Sequence, residues 1–372
     1  MSAKVGVAIF GSGYWGINYV RVFRELSTAR VMAVCDLSQS RLQEVNQRFP
    51  EIEVTSEIDH VLQLDGVEAV VVCTQAKTHY DIAQRCLAAG KHVLIEKPIT
   101  TTVVEAEALI GLAEAKKVIL MVGHTFLYNP GVRKVKEYID QAQIGQLYYL
   151  YARRTNLGPI RHDVNAVWDL APHDISIFNY LLDSTPDWVS AVGVKALGNH
   201  REDVGFVSLG YPHGIVGHIH VSWADPNKVR EVVVVGSKKR IVFDDLNAAE
   251  RVKIYEKGVT PASPEAASFG EFQFTVRDGD IISPRVEVSE PLKNQCLHFL
   301  ECITQDKAPF TSGQTGMAVV QVMQAIDRSL QLNGAPVLLK PQTTAQFIHP
   351  NEGLALTPVK ETTHVRLPYP IH

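Results

Sequence analysis

The sequence predicts an α/β protein: an N-terminal doubly wound parallel sheet, then a second α/β domain on a large, mostly antiparallel open sheet. Three observations predict it. Apolar strand-like runs alternate with helical patterns through Val122, the βαβα rhythm of a parallel sheet. A glycine-rich turn joins the first strand to the first helix. From Gln146 onward many runs alternate apolar and polar, with short polar turns such as Pro212-His213-Gly214, as in an antiparallel sheet with one covered face.

Taken in order, Val5-Gly6-Val7-Ala8-Ile9-Phe10 is a strand without a polar side chain, followed by Gly11-Ser12-Gly13-Tyr14-Trp15-Gly16 and a helix through Leu26. A G-x-G-x-x-G run between strand and helix is the context of a dinucleotide-binding fingerprint. Gly11 permits the tight turn, Gly13 lets a pyrophosphate approach the backbone, and Gly16 lets the helix pack closely. The helix N-terminus offers free N–H groups to phosphates. A second strand at 31–35 ends in Asp36, about 20 residues past Gly16. A carboxylate there accepts from ribose hydroxyls and repels a 2′-phosphate, so NAD is expected over NADP, although Arg41 lies on the following helix. Asp36 is also placed to cap that helix, which starts near Ser38.

Further strands are expected at 52–54, 68–73, 92–96 and 118–122, with helices ending at Ala89 and Lys117. Gly90 stops the first of these helices. In Val93-Leu94-Ile95-Glu96-Lys97-Pro98 an apolar run ends in a charged pair, and Pro98 has no N–H to continue the ladder. Glu96 and Lys97 therefore fall at the carboxyl edge of the sheet, where open α/β sheets bind ligands. Thr74, Gln75 and His79 lie on or near a neighbouring strand-end loop and would line the cofactor; a structural place at the helix start suits His79 equally.

The expected domain boundary follows His124, giving 1–124 for the nucleotide domain and 125–372 for the second. A crossover helix at 131–141 leads to strands at 146–156, 188–197, 204–211, 215–223, 231–235 and 240–244. Residues 258–280 read as a loop or arm, helices follow at 293–304 and 315–332, and the tail after Pro341 lacks periodicity. Asp169 and His173 share one face of a helix running to about Leu182, and an Asp beside a His can set its tautomer. The polar, basic segment 153–165 is either an anion-binding loop or a solvated connection.

Composition narrows the classes. A length of 372 residues suits two domains, and 46% hydrophobic with 20% charged residues is ordinary for a globular protein with a full core. A net charge of -4 leaves no basic footprint for nucleic acid. No run is long enough for a membrane span. The five cysteines are scattered and show neither a disulfide framework nor metal spacing. The opening residues run straight into a strand, so no signal peptide and a reducing cytoplasm are expected.

Gly11-x-Gly13-x-x-Gly16, Asp36, Glu96-Lys97-Pro98 and Asp169-x-x-x-His173, in this order and spacing, resemble the Gfo/Idh/MocA family, the glucose-fructose oxidoreductase and inositol dehydrogenase group. The resemblance implies a Rossmann domain joined to an open-sheet α/β domain, with a homodimer or homotetramer formed through that sheet. It implies Lys97 and His173 as the catalytic pair and Asp169 as a substrate or histidine partner. His173 would accept the proton of a carbinol whose hydride moves to nicotinamide, and Lys97 would stabilise the developing alkoxide. Cofactor contacts are expected from the Gly11–Gly16 loop including Tyr14 and Trp15, from Asp36, and from Thr74, Gln75, His79, Glu96 and Lys97. The family's usual Thr-Pro is Thr74-Gln75 here, which departs from the pattern at Gln75. Substrate contacts are expected from Tyr128, Asn129, Arg153, Asn156, Arg161 and Trp168, beside Lys97, Asp169 and His173. The run from Asn156 to Asp174 is similar to members that oxidise C3 of UDP-N-acetylglucosamine-type nucleotide sugars, with Arg153 and Arg161 facing the diphosphate. Two alternatives stand beside this: a free sugar or inositol dehydrogenase, and a regulatory protein that keeps the dinucleotide fold without turnover.

Overall fold

The first sheet contains β1 (Val5–Phe10), β2 (Ala29–Cys35), β3 (Glu53–Thr55), β4 (Ala69–Val72), β5 (His92–Glu96) and β6 (Leu120–Gly123), all parallel, in the order β3-β2-β1-β4-β5-β6. The computed structural model describes residues 4–158, 160–161, 163–198, 200–261 and 274–339. Helices α1 (Tyr14–Glu25), α2 (Gln39–Arg48), α3 (Ile58–Gln63), α4 (His79–Ala88) and α5 (Val103–Lys116) connect these strands. Strand order reverses between β1 and β4, the switch point where such sheets open a crevice. β1 and β4 are buried throughout because both faces are covered. Val7 and Ile9 join one apolar layer, Ala8 and Phe10 the other, as the two-residue repeat of a strand requires.

After α6 (Pro130–Asp140), the chain forms β7 (Leu147–Thr155), α7 (Ala166–Leu182), β8 (Trp188–Val194), β9 (Val204–Gly210), β10 (Val216–Ser222), β11 (Val229–Gly236) and β12 (Arg240–Asp244). It continues through β13 (Val252–Tyr255), β14 (Gly258–Pro261), β15 (Phe274–Arg277), β16 (Ile281–Ile282), α8 (Pro291–Gln305), α9 (Gly313–Gln331) and β17 (Val337–Leu338). Nine of these strands form one sheet, β16-β13-β12-β11-β7-β10-β9-β8-β17, antiparallel except between β7 and β10. Leu150, Val207, Ile219 and Val232 face a core shared with α6, α7 and α9. On the opposite face Tyr149, Val192, Phe206 and Val216 are exposed.

Three differences from the sequence reading concern short elements. β13, β16 and β17 were not expected: four-, two- and two-residue strands carry too little periodicity to read. The supposed loop at 258–280 contains the paired strands β14 and β15, and the residues between them lie outside those described. The tail after Pro341 also lies outside the described residues. Helix α8 returns to the first sheet, placing Leu292, Cys296, Phe299 and Leu300 in its core, and Val320 of α9 enters the layer on the other side. Val319, Val322, Met323 and Ile326 of α9 also enter the core of the second sheet, so α9 ties the two sheets together. Among the described residues, no helix is long and apolar enough to cross a membrane.

Candidate active site

The glycine turn has three distinct geometric demands. Gly11 sits at φ +91, which favours glycine, and a Cβ on Gly16 would lie 1.8 Å from the Gly11 carbonyl oxygen. A Cβ on Gly13 would meet only the Arg41 guanidinium, at 3.8 Å, so this part of the turn is open. No side chain caps α1 at Gly13, so the helix start keeps its polar N–H groups for a ligand. Asp36 Oδ2 accepts from the Ser12 amide at 2.7 Å and the Ser12 hydroxyl at 2.8 Å, and Oδ1 accepts from the Ser38 amide at 2.9 Å. Burial pushes the Asp36 carboxyl up, but the Ser38 and Ser12 bonds and Arg41 outweigh it and hold it below its usual range. Ser38, not Asp36, caps α2. Arg41 Nη1 comes within 3.8 Å of Asp36, a cation nearer the ribose position than its place in the sequence suggested.

Beyond the turn, a cleft runs between the carboxyl edge of the first sheet and α7. One half, about 380 Å³, is lined by Thr74, His79, Lys97, Arg161, Asp169 and Trp223, among others. The other, about 400 Å³, includes Thr125, Asn129, Arg154, His173, Arg230 and Asp245. Tyr14, Trp15, Glu96, Asn156 and Leu170 line both halves. Gln75 is exposed and lies outside this lining. The His79 ring stands between the carbonyl oxygens of Pro98, at 2.7 Å, and Thr74, at 3.1 Å, and ties two strand-end loops together.

Lys97 bridges the two halves of the protein. Its Nζ donates to the Asp169 carbonyl at 2.7 Å and lies 3.7 Å from the Asp169 carboxylate. Pro172 inside α7 has no N–H for the Trp168 carbonyl, and the following carbonyl, that of Asp169, accepts from Lys97. Burial lowers the Lys97 pKa, while Asp169 and Glu96 oppose the shift. The Asp169 carboxylate also accepts from Arg161 at 3.1 Å and from the Trp223 indole at 3.3 Å.

His173 is a different case from the one its spacing suggested. No hydrogen bond joins it to Asp169 among the described residues, and its Nδ1 is buried without a partner. The carboxylate one turn away is occupied by Arg161, Trp223 and Lys97. The imidazole instead packs edge-on against Phe126 with centroids 5.0 Å apart, and the Arg154 guanidinium covers the Phe126 ring at 4.3 Å. Arg154 forms a buried bidentate pair with Asp174, at 2.9 and 2.7 Å. Burial, then the nearby Lys97, Arg154, His124 and Arg230, push His173 well below the ordinary imidazole value, so it is neutral near pH 7.

Three expected substrate contacts lie off the cleft, and a fourth is already paired. Arg153 is exposed on the far face of β7, and its neighbour Arg154 faces the cleft. Trp168 donates to both carboxylate oxygens of Asp327 at 2.9 Å and lies off the cleft. Tyr128 is buried, with its hydroxyl 3.1 Å from Thr311 Oγ1. Arg161 lines the cleft, but its guanidinium is paired to Asp163 at 2.9 and 2.6 Å as well as to Asp169. Asn129 and Asn156 do line it; Asn129 also caps α6 and donates to Asp245 at 2.9 Å. The sequence reading missed Arg154, Asp174, Trp223, Arg230 and Asp245. Strand alternation was the available signal for the first: Leu150 and Ala152 are apolar, so Arg154 continues their face.

Comparison with known proteins places this geometry. The family described as an oxidoreductase family with an NAD-binding Rossmann fold matches residues 5–124, and the GFO/IDH/MocA C-terminal domain matches residues 132–242. The chain belongs to the Gfo/Idh/MocA family. It is 26% identical over 336 residues to the UDP-N-acetylglucosamine 3-dehydrogenase of Acidithiobacillus ferrooxidans, covering 87% of this chain and 97% of that protein. The scyllo-inositol 2-dehydrogenase (NAD(+)) of Bacillus subtilis is 25% identical over 353 residues, covering 91% and 97% respectively. The crystal structure of GenD2 from gentamicin A biosynthesis, in complex with NAD, shares the fold with a TM-score of 0.76 at 24% identity, covering 91% of this chain and 97% of that one.

This Gfo/Idh/MocA protein is an NAD-binding oxidoreductase. The residues on its first sheet fit the cofactor: an uncapped helix start and an open Gly13 suit a pyrophosphate, and the ionised Asp36 suits ribose hydroxyls. Asp36→Ala is expected to weaken NAD binding and narrow the preference over NADP, because it removes the acceptor and leaves Arg41 uncompensated. Fluorescence titrations with both cofactors test this; unchanged affinities would take Asp36 out of the ribose site.

Acid stability gives a second prediction. His124 is fully buried, neither ring nitrogen has a partner among the described residues, and burial with Lys97 nearby drives its pKa down to about 4. An unfolded histidine binds its proton near pH 6.5. Between those values the unfolded chain holds a proton that the folded chain does not, so stability falls as pH drops through this window. His124→Phe is expected to lose less Tm than wild type between about pH 7 and pH 5. Parallel losses in the two proteins would remove His124 as a source of acid lability.

Proposed function

We propose that this protein oxidises a secondary alcohol on a sugar ring, and that the sugar is carried on a nucleotide: C3 of UDP-N-acetylglucosamine or its uronate form. The observation that carries the chemistry is the placement of a buried lysine and a neutral histidine on the walls of one cleft beside the glycine turn. Bound NAD supplies the hydride acceptor. Lys97 donates a hydrogen bond to the carbinol oxygen and holds the negative charge that develops there. His173 enters the reaction unprotonated and takes the hydroxyl proton. Phe126 and Leu170 limit water in the cleft, which strengthens both interactions. The nucleotide part of the reading is supported by the nearly full-length similarity to the Acidithiobacillus protein.

A free sugar or polyol is the second reading, favoured by a specific feature. Arg153 faces away from the cleft, and Arg161 is already paired to two carboxylates, so neither is presented to a diphosphate. The assay that separates the readings follows NADH absorbance with NAD and UDP-N-acetylglucosamine, its uronate, glucose or myo-inositol, with and without 2-oxoglutarate. Reduction confined to the nucleotide sugars is expected; reduction by free polyols instead would replace the first reading with the second. No turnover in either direction, with NAD bound, would leave a non-catalytic dinucleotide-binding protein. Self-association through the exposed face of the nine-stranded sheet is part of the same proposal, supported by its exposed Tyr149, Phe206 and Val216. A monomer in analytical sedimentation at assay concentration would overturn it.

A further inference from the structure

A buried hydrogen-bond relay runs from the cleft wall through two helices to the segment that holds Lys97. The Thr125 hydroxyl donates to Gln295 Oε1 at 2.9 Å. Gln295 Nε2 donates to the Tyr19 hydroxyl at 2.8 Å, and that hydroxyl donates to Glu96 Oε1 at 2.7 Å. Glu96 Oε2 accepts from the Lys97 amide at 3.1 Å. Tyr19 and Gln295 are fully buried, and Glu96 is 6% exposed. Thr125 and Glu96 both line the cleft, whereas Tyr19 and Gln295 lie behind it.

The direction of the relay follows from the capacity of each group. An ionised carboxylate only accepts, so Tyr19 must give its one proton to Glu96. The Tyr19 oxygen then needs a donor, which turns the Gln295 amide nitrogen toward it and its oxygen toward Thr125. Every buried polar atom along the path is satisfied in this arrangement. Gln295 is on α8, whose Leu292, Cys296 and Phe299 anchor it to the first sheet, so its amide is rigidly placed. Leu and Phe there need only an apolar surface; a fully buried Gln requires a polar reason.

We propose that Tyr19 and Gln295 are positioning residues that hold the Glu96 carboxylate ionised beside Lys97, so that helix α8 sets the geometry of the lysine end of the cleft. This rests on the assignment of Lys97 as a residue that contacts the substrate oxygen. Burial drives the Glu96 carboxyl above its ordinary value, and the Tyr19 hydroxyl followed by Lys97 limit the rise. Other titratable groups facing this cluster are Arg161 across the cleft, Cys73 at the end of β4 and Cys296 on α8. Loss of the Tyr19 donor therefore favours protonated Glu96, which leaves Asp169 as the remaining negative group acting on the Lys97 ammonium.

The test is a double-mutant cycle with Tyr19→Phe and Gln295→Met. Tyr19→Phe is expected to lower kcat by about tenfold, the scale of one hydrogen bond to a charged group, with little change in either KM. The acid limb of the kcat–pH profile is expected to move to higher pH. Gln295→Met should produce a smaller loss in the same direction, and the double variant should be no worse than Tyr19→Phe alone, because Gln295 acts through Tyr19. Multiplying losses, or variants that lose Tm while the pH profile stays in place, would overturn the proposal. A 13C-glutamate NMR titration of free wild-type, Tyr19→Phe and Glu96→Gln proteins reads the Glu96 pKa without a substrate. An upward shift in Tyr19→Phe is expected even if the sugar assignment fails, and an unmoved resonance would refute the relay itself.

Discussion

Replacing Lys97 with alanine is expected to lower kcat by about 10²- to 10³-fold, the usual consequence of losing a preorganised donor to a developing oxyanion. NAD affinity should change little, because the ribose and pyrophosphate contacts expected of Asp36 and the uncapped start of α1 do not involve the Lys97 side chain. The variant should fold. Asp169 keeps Arg161 at 3.1 Å and the Trp223 indole at 3.3 Å, so its carboxylate is not left unpaired when the lysine goes. Glu96 likewise keeps Tyr19 at 2.7 Å. Steady-state kinetics with an NAD titration decide the matter. Loss of NAD affinity with kcat intact would make Lys97 a cofactor-site residue and remove it from the chemistry.

His173→Ala is expected to cost about 10²- to 10⁴-fold in kcat, the range for a positioned general base, again with NAD binding retained. The pH profile carries a sharper test. A base works in its unprotonated form, and burial with four neighbouring cationic or imidazole groups pushes His173 well below its ordinary value. Neutral His173 therefore persists as pH falls through about 6.5, and the acid limb of wild-type kcat/KM should lie below that point. The His173 titration should drop out of that limb in His173→Ala, leaving the Glu96 titration alone. A variant that keeps the wild-type limb would assign the titration to another group, and unreduced turnover would remove His173 as the base.

Much of the first domain was legible because its strands are buried on both faces and its turns are punctuated. Val5–Phe10 and Ala69–Val72 are continuous apolar runs, Gly90 adopts a positive φ after its helix, and Pro98 follows the carboxyl end of β5. The candidate site was only partly legible. Asp169 and His173 share a helix face, yet spacing along one helix says nothing about partners arriving from elsewhere. Arg161, Trp223 and Lys97 occupy the carboxylate, so Phe126 and the Arg154–Asp174 pair surround His173 instead. Charge does not separate Arg153 from Arg154, but a one-residue step along a strand changes faces, and Arg154 is the one turned to the cleft.

By itself, then, the sequence determined the local elements, which residue types stand at the ends of strands (Gly11 to Gly16, Asp36 and Glu96-Lys97), and the place of His173 one helical turn from Asp169. These depend on periodicity, φ restrictions and the lack of an N–H on proline, all properties of short stretches. Only the tertiary structure decided the pairings across 72 residues from Lys97 to Asp169 and across 276 from Gln295 to Tyr19. It also decided that His173 and His124 stay neutral. Those outcomes depend on burial and on charges contributed by separate elements, and both exist only once the two sheets and the returning C-terminal helices enclose the cleft.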